Sequence, residues 1–387
     1  MVGIGGYGDL YVSRLLDSNE IKEATVAGVV DINPKKSKNY HKIIENQIPV
    51  FTSIEEFYNN RKADLAVIST PIHLHAYQTC YALNHGSNVL CEKPMCTTTN
   101  DAYSMIQTRN ETNKFLAIGF NWSFNPSIQA LKKDIASGLF GKPRRLKTIL
   151  LWPRTKKYFD RAPWAGKKYG ENGEQILDSV ANNAGAHYLH HMFYLLGHKQ
   201  EESARLNQVT AELYRANPIE NFDTCAIKAN TDEGVEVLYY ATHAVKDQAG
   251  PSFTFEFEFA TITYTQGAGT NNVVAEFHDG SKKVYPDPRT EDPLQKLTKC
   301  IEAIKTGNQN IYCGPEAAFT HTLCINSIHN SMSEIINFPK EIIKHDKKTD
   351  VIWAEGLSDI LNKCFDESRM PSELDITWAR EGKMINI

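Results

Sequence analysis

The 387-residue chain has no apolar run approaching the roughly 18 residues that a bilayer-spanning helix needs. It also has no basic stretch followed by an apolar one of the kind that directs secretion. No Cys-x-x-Cys pair occurs. The eight cysteines are scattered at 80, 91, 96, 225, 300, 313, 324 and 364, mostly among apolar neighbours. That argues against a zinc ribbon or a disulfide framework and for buried, reduced thiols in a cytoplasmic protein. Positive charge is not in excess: 42 Lys and Arg face 46 Asp and Glu, for a net charge of −4. A nucleic-acid partner would need a basic face, so none is expected. Internal repeats and low-complexity tracts are lacking too. What remains, 41% hydrophobic and 23% charged residues, is globular composition, and the length allows two domains.

Over the first 120 residues, short apolar runs alternate with helix-like stretches. Ala24–Val30, Leu65–Ser69, Ser87–Leu90 and Phe115–Gly119 read as strands, and Leu74–Leu83 and Asn100–Arg109 as amphipathic helices. The runs lack polar alternation, which suits strands covered on both faces and predicts βαβ units on a parallel sheet. After residue 120 the pattern changes. Helices are expected at Pro126–Ser137, Val180–Leu196, Pro293–Thr306 and Glu316–Ile336. Strand follows strand at Arg145–Trp152, Gln208–Leu213, Thr224–Ala229, Gly234–His243, Ser252–Phe259, Thr261–Tyr264 and Val273–Phe277. The expected fold class is therefore α/β: a parallel sheet of βαβ units at 1–120, then an α+β domain at 121–387 with a mostly antiparallel sheet. The C-terminal helices are free in this scheme to pack back on the first domain.

Gly3-Ile4-Gly5-Gly6-Tyr7-Gly8 is a G-x-G-x-x-G run. Gly3 permits a tight strand-to-helix turn, Gly5 lets a pyrophosphate approach the backbone, and Gly8 lets the helix pack closely. Gly6 and Tyr7 lie within the run and count with it as cofactor residues. Asp31 ends the second expected strand 23 residues after Gly8, where a carboxylate accepts the ribose hydroxyls of NAD and repels the extra phosphate of NADP. Lys35, Lys36 and Lys38 follow closely and read as a solvated charge run, although one of them could serve NADP. Only Met1 and Val2 precede the turn, so the first strand reads as clipped or as continuing ahead of Met1. Two further segments, Thr70-Pro71 with His75 and Glu92-Lys93-Pro94, fall at the carboxyl ends of later strands, where open parallel sheets bind ligands. Thr70, Pro71, His75, Glu92 and Lys93 join the cofactor residues on that ground.

The ordered set of Gly3–Gly8, Asp31, Thr70-Pro71 with His75, Glu92-Lys93-Pro94 and the later Gly185-Ala186-His187 resembles the Gfo/Idh/MocA oxidoreductases, with Glu-Lys-Pro as its most specific part. The resemblance implies an NAD(P)-dependent dehydrogenase acting on a carbinol of a sugar, inositol or related polyol. It also implies that the first domain is a Rossmann doubly wound parallel sheet, that the second carries a large, mostly antiparallel open sheet, and that a homodimer or homotetramer forms through that open sheet. Under it, Lys93 polarises the substrate oxygen, and His187 carries the proton because an imidazole titrates near neutrality. The chain departs from the family pattern at several places. Asn183 stands where aspartate is common four residues before the histidine, His190 where aspartate is usual three residues after it, Ser123 in place of an arginine, and Trp164-Ala165 in place of Trp-Arg. Asn183 keeps a place beside His187 as a hydrogen-bonding partner, but it cannot take a proton.

Trp152-Pro153-Arg154, Tyr158 and Trp164 form an aromatic and basic cluster ahead of that helix. Trp164 is assigned to the cofactor, and Trp122, Arg154, Tyr158 and His190 to the substrate. His187, His190 and His191 stand at i, i+3 and i+4 without an acidic third ligand at a recognised spacing, so no metal is expected. Two alternatives stand beside the dehydrogenase: an NAD-cycling glycoside hydrolase of the same fold, and a non-catalytic nucleotide sensor.

Overall fold

The computed structural model describes residues 1–17, 21 and 23–387. The chain divides into two compact units, Met1–Phe124 with Glu291–Phe319, and Asn125–Thr290 with Thr320–Ile387.

The first unit alternates helix and strand: α1 (Gly8–Asp17), β1 (Val29–Val30), α2 (Tyr40–Glu45), β2 (Val50–Phe51), α3 (Ile54–Asn60), β3 (Leu65–Ile68), α4 (His75–Asn84), β4 (Asn88–Cys91), α5 (Thr99–Thr112) and β5 (Leu116–Ile118). β1 pairs with β2, and β3, β4 and β5 pair in that order, all parallel. Val2 joins the two groups through parallel bridges to Val30 and Ile68. Gly3 N–H donates to Val30 O and Val2 N–H to Val67 O, both at 2.8 Å. Strand order thus reverses at Met1–Gly3, and the carboxyl side of such a switch point is where open α/β sheets bind ligands. The strand expected over Ala24–Val30 shrinks to Val29–Val30, because its partner β2 is itself two residues long.

In the second unit come α6 (Pro126–Ala136), β6 (Pro143–Leu151), α7 (Lys156–Phe159), α8 (Ala186–Leu195), β7 (Leu206–Arg215), β8 (Thr224–Thr231), β9 (Glu236–Thr242), β10 (Ala249–Phe257), β11 (Ala260–Thr265), β12 (Val273–Phe277) and β13 (Lys282–Tyr285). The strands form one open sheet in the order β13-β12-β11-β10-β6-β9-β8-β7, antiparallel apart from β6 against β9, and the short strands Ile336–Asn337, parallel, and Ile385–Asn386, antiparallel, add to β7. Period-two alternation sends Leu150 and Tyr239 toward Gly185, just ahead of α8, and Lys147, Ile149, Leu151, Leu238 and Tyr240 to the opposite face.

That opposite face is covered by the chain itself. Leu357, Leu361, Cys364 and Met370 pack on Ile149, Leu238 and Tyr240. Lys147 Nζ donates to Phe365 O at 2.7 Å, and Tyr240 Oη to Arg369 O at 3.0 Å. Further along the same face, the outward positions of β10 and β11 are Ser252, Thr254, Glu256, Thr261, Thr263 and Thr265. The apolar half of the face is therefore filled from within one chain, and the rest is mostly polar.

Two helices end where packing overrides periodicity. The expected helix Val180–Leu196 begins only at Ala186, because residues 180–185 form turns closed by Gly185 N–H on Val180 O at 2.8 Å. The one expected at Glu316–Ile336 stops at Ser331, and Ile336 instead pairs with Tyr214 of β7. No disulfide joins the eight cysteines, seven of which are buried.

Candidate active site

In the first unit the glycine run divides by function. A Cβ on Gly3, whose φ is +78°, would lie 2.8 Å from Ser69 O, and one on Gly8 would lie 2.3 Å from Gly3 O. These two glycines are required by the turn itself. At Gly5 and Gly6 a Cβ would meet nothing within 4 Å, so the backbone there faces open space at the start of α1. Amides at a helix N-terminus beside open space suit a pyrophosphate. Asp31 is built into the same place: its Oδ2 accepts from Ile4 N–H at 3.0 Å and its Oδ1 from Asn33 N–H at 2.7 Å. The carboxylate at the end of β1 is thus fastened to the glycine turn. Lys35, Lys36 and Lys38 are exposed.

The loops after β3 and β4 are tied to each other by His75. Its ring nitrogens lie 2.8 Å from Thr70 O and 2.9 Å from Pro94 O, and Thr70 Oγ1 donates to Gln78 Oε1 at 2.6 Å. Burial lowers the His75 pKa, so the neutral ring donates to one carbonyl at a time. His75 therefore holds the shape of the site from behind.

Glu92, expected among the cofactor residues, has its side chain buried and engaged within the unit. It accepts from Tyr11 Oη at 2.6 Å and Lys93 N–H at 3.1 Å, and it pairs with Lys296. Lys296, on the helix Gln295–Thr306, is fully buried and also donates to Gly119 O at 3.1 Å and Asn121 Oδ1 at 2.7 Å. A Cβ on Gly119 would lie 2.9 Å from the Glu92 carboxylate, so glycine makes room for the pair. Of the Glu-Lys-Pro corner, glutamate turns inward, lysine is half-exposed, and the Lys93–Pro94 peptide is cis. Tyr7, 40% exposed, sets its ring edge-on to Tyr11 and under the Lys296 ammonium, 4.9 Å from the ring centroid. Trp122, assigned to the substrate, is buried in the turn Asn121–Phe124.

In the second unit the expected cluster assembles as a ladder of cations and rings. The Arg154 guanidinium lies 5.5 Å from the Trp152 ring centroid and 4.9 Å from that of Tyr158. Arg161 follows, 3.8 Å from Tyr158 and 4.7 Å from Trp164.

His187 opens α8 and is half-exposed, whereas His190 and His191 are buried. His190, read as a substrate residue, is 1% exposed and stacks on Tyr194 with ring centroids 5.5 Å apart. Burial, with His321, His191 and Lys132 nearby, holds its pKa well below the usual value, and burial takes His191 down to about 3. Both rings are core residues, since α8 turns nine of its ten side chains inward. Among the described residues no cluster suited to a metal occurs.

Asn183 lies in the turn before α8, not on the helix face with His187, and its Nδ2 donates to Asp178 Oδ1 at 2.7 Å. Reading the sequence missed Asp178 and Lys296. The signal for Lys296 was present: it shares a helix face with Leu297, Cys300 and Ala303, where a lysine must find a partner. Asp178 gave none, because nothing local ties it to Asn183.

Residues 1–120 match the family described as an oxidoreductase family with an NAD-binding Rossmann fold, GFO_IDH_MocA. The chain is 31% identical over 136 residues to 1,5-anhydro-D-fructose reductase of Ensifer adhaerens, an alignment covering 34% of this chain and 39% of that protein. It is 24% identical over 270 residues to D-apiose dehydrogenase of Rhizobium rhizogenes, covering 68% of this chain and 70% of that one. Apart from the latter, the chain spans between about a third and a half of the length of the curated relatives it matches, as with the 47% of inositol 2-dehydrogenase 1 of Mycolicibacterium vanbaalenii. Among solved structures, the WlbA dehydrogenase from Bordetella pertussis in complex with NADH and UDP-GlcNAcA superposes with a TM-score of 0.70 at 22% identity, over 86% of this chain and 95% of that one. The myo-inositol 2-dehydrogenase from Lactobacillus plantarum gives 0.66 at 16%, over 86% and 96%. At these identities the likeness is one of fold.

Proposed function

We propose, on the premise that its NAD-binding Rossmann domain at residues 1–120 makes this chain a member of the Gfo/Idh/MocA oxidoreductase family, that the protein is an NAD-dependent dehydrogenase acting on a carbinol of a sugar, inositol or related polyol. The observation that carries this reading is the Asp31 carboxylate bonded to the Ile4 amide, inside a glycine turn whose Gly5 and Gly6 face open space. That arrangement fits a dinucleotide with an unphosphorylated adenosine ribose. The relatives named as reductases and dehydrogenases of sugars and inositol support the substrate class.

The nicotinamide, when bound, supplies the hydride acceptor. The amides of the Gly3–Gly8 turn hold the pyrophosphate, and Asp31 accepts the ribose hydroxyls. The Lys93 ammonium stabilises the negative charge that develops on the carbinol oxygen as its hydroxyl proton leaves, and His187 takes that proton. The Arg154, Tyr158 and Trp164 ladder offers ring faces to the apolar side of a sugar and cations to its oxygens.

The test is a panel of sugars and polyols with NAD and with NADP, followed at 340 nm. Net NADH on a polyol, with NAD preferred, is the expected result. Product without net NADH would favour the NAD-cycling hydrolase, and failure of calorimetry to detect either coenzyme would remove the reading.

The glycine run yields a separate prediction. Gly5→Val retains wild-type thermal stability and loses at least about tenfold in NAD affinity, because only ligand space is filled. Gly3→Ala instead loses about 1–3 kcal/mol of stability, because a left-handed residue meets a carbonyl oxygen. Thermal melts and calorimetry on the two variants check the split.

A further inference from the structure

We infer that the substrate of this dehydrogenase is an anionic sugar, a sugar acid or a sugar phosphate, whose charged group is held by Arg154 at the head of the basic segment 154–168. The inference rests on the dehydrogenase reading above and narrows its substrate class from sugars and polyols at large to charged ones.

The segment gathers positive charge. In a chain of net charge −4, residues 154–168 carry Arg154, Lys156, Lys157, Arg161, Lys167 and Lys168 against one acid, Asp160. Half of these cations have a carboxylate within the second unit. Lys156 pairs with Asp160, Arg161 stands 3.7 Å from Asp178, and Lys167 stands 3.9 Å from Glu220. Among the described residues no carboxylate pairs with Arg154, Lys157 or Lys168. Of these three, Arg154 is set against aromatic rings, half-buried with its guanidinium over both Trp152 and Tyr158. Tyr158 carries the Arg161 guanidinium as well, so two like charges share one ring. The same field reaches His243: burial, and then Arg154, take its pKa down to about 3, so the ring stays neutral beside the cations. A guanidinium partly withdrawn from water without a counter-charge is costly, and a ligand that brings a negative charge removes that cost.

Arg154 is also placed without the help of its own charge. Its N–H donates to His243 O at 3.3 Å, just past the end of β9, and on either side Trp152 N–H donates to Thr242 O at 2.9 Å and Lys156 N–H to Asp350 O at 3.1 Å. The main chain therefore fixes the segment, and the guanidinium fork is left to meet a carboxylate or phosphate with two parallel N–H groups. The rings of Trp152 and Tyr158 beside it suit the apolar side of a sugar. A neutral polyol uses the rings and leaves the charge unanswered, whereas an anionic sugar uses both, so the segment discriminates by charge.

The experiment uses the full chain in two arms. In the first, sugars are offered with NAD as matched sets, each neutral sugar beside its uronic acid and its phosphate ester. The charged member should exceed the neutral one in kcat/KM by about a hundredfold, mostly through KM, and Arg154→Gln should cut that ratio at least about tenfold. Which charged member is accepted separates a carboxylate from a phosphate. Neutral sugars turned over as well as their charged counterparts, or an Arg154→Gln enzyme that keeps the ratio, overturn the proposal and leave the dehydrogenase reading standing. In the second arm, thermal unfolding with saturating NAD is followed in inorganic phosphate and in glucuronate, each against sodium chloride of equal ionic strength. At least one of the two anions should raise the wild-type melting temperature by about 2 °C, Arg154→Gln should lose that rise, and Arg154→Lys, which keeps the charge, should retain part of it. No rise with either anion in wild type, or the same rise in Arg154→Gln, overturns the proposal. If wild type turns over no sugar of either kind, the dehydrogenase reading fails on its own and the second arm decides the anion site.

Discussion

Replacing Lys93 by alanine is expected to lower kcat on an accepted polyol by about 10²–10³-fold while NAD still binds. Lys93 follows β4 directly, and its backbone is held by Glu92 through the 3.1 Å amide contact and by His75 through Pro94 O. Glu92 is already satisfied by Tyr11 and Lys296, so it serves as a brace for the corner. The ammonium at Lys93 acts on charge that appears only as the hydroxyl proton leaves. Its loss is therefore felt in turnover more than in ground-state binding. Lys93→Arg should recover little, since a planar fork cannot stand in for a compact point charge at a fixed spot. Single-turnover absorbance at 340 nm with calorimetry of NAD makes the comparison, and wild-type turnover in the alanine variant would remove Lys93 from the mechanism.

The largest effect on stability is expected at Lys296, a residue far from any motif. Lys296→Met should cost about 3–5 kcal/mol, because it leaves the Glu92 carboxylate buried without its cation. The asparagine at 121 and the carbonyl of Gly119 would lose a donor at the same time. Adding Glu92→Gln removes the stranded charge and should return part of the loss, its single amide oxygen keeping an acceptor for one of the two donors, Tyr11 or the Lys93 amide. Urea unfolding of the single and double variants gives the two numbers. A loss below about 1 kcal/mol in the single variant would show that the pair contributes little.

Much of the first unit was legible in the chain because its signals are short-range. The steric needs of Gly3 and Gly8 arise within a few residues of the turn and its neighbouring strand. The apolar runs at Leu65 and Asn88 declare a sheet covered on both faces whatever packs on them. Asp31 was legible for a similar reason, since the length of one βαβ repeat brings it back to the glycine turn.

Sequence alone therefore determined that a dinucleotide turn with its acid exists, that a parallel sheet carries it, and that a mostly antiparallel sheet follows. Tertiary structure decided which polar side chains turn into the protein. Glu92 turned inward to a lysine 204 residues away, His190 into the core of α8, and Asn183 toward Asp178. It likewise decided that Leu357–Met370 would cover the apolar half of the large sheet. The physical reason is common to all of these. A buried polar or apolar group takes whatever partner folding brings to it, and that partner lies at a sequence distance no local pattern encodes.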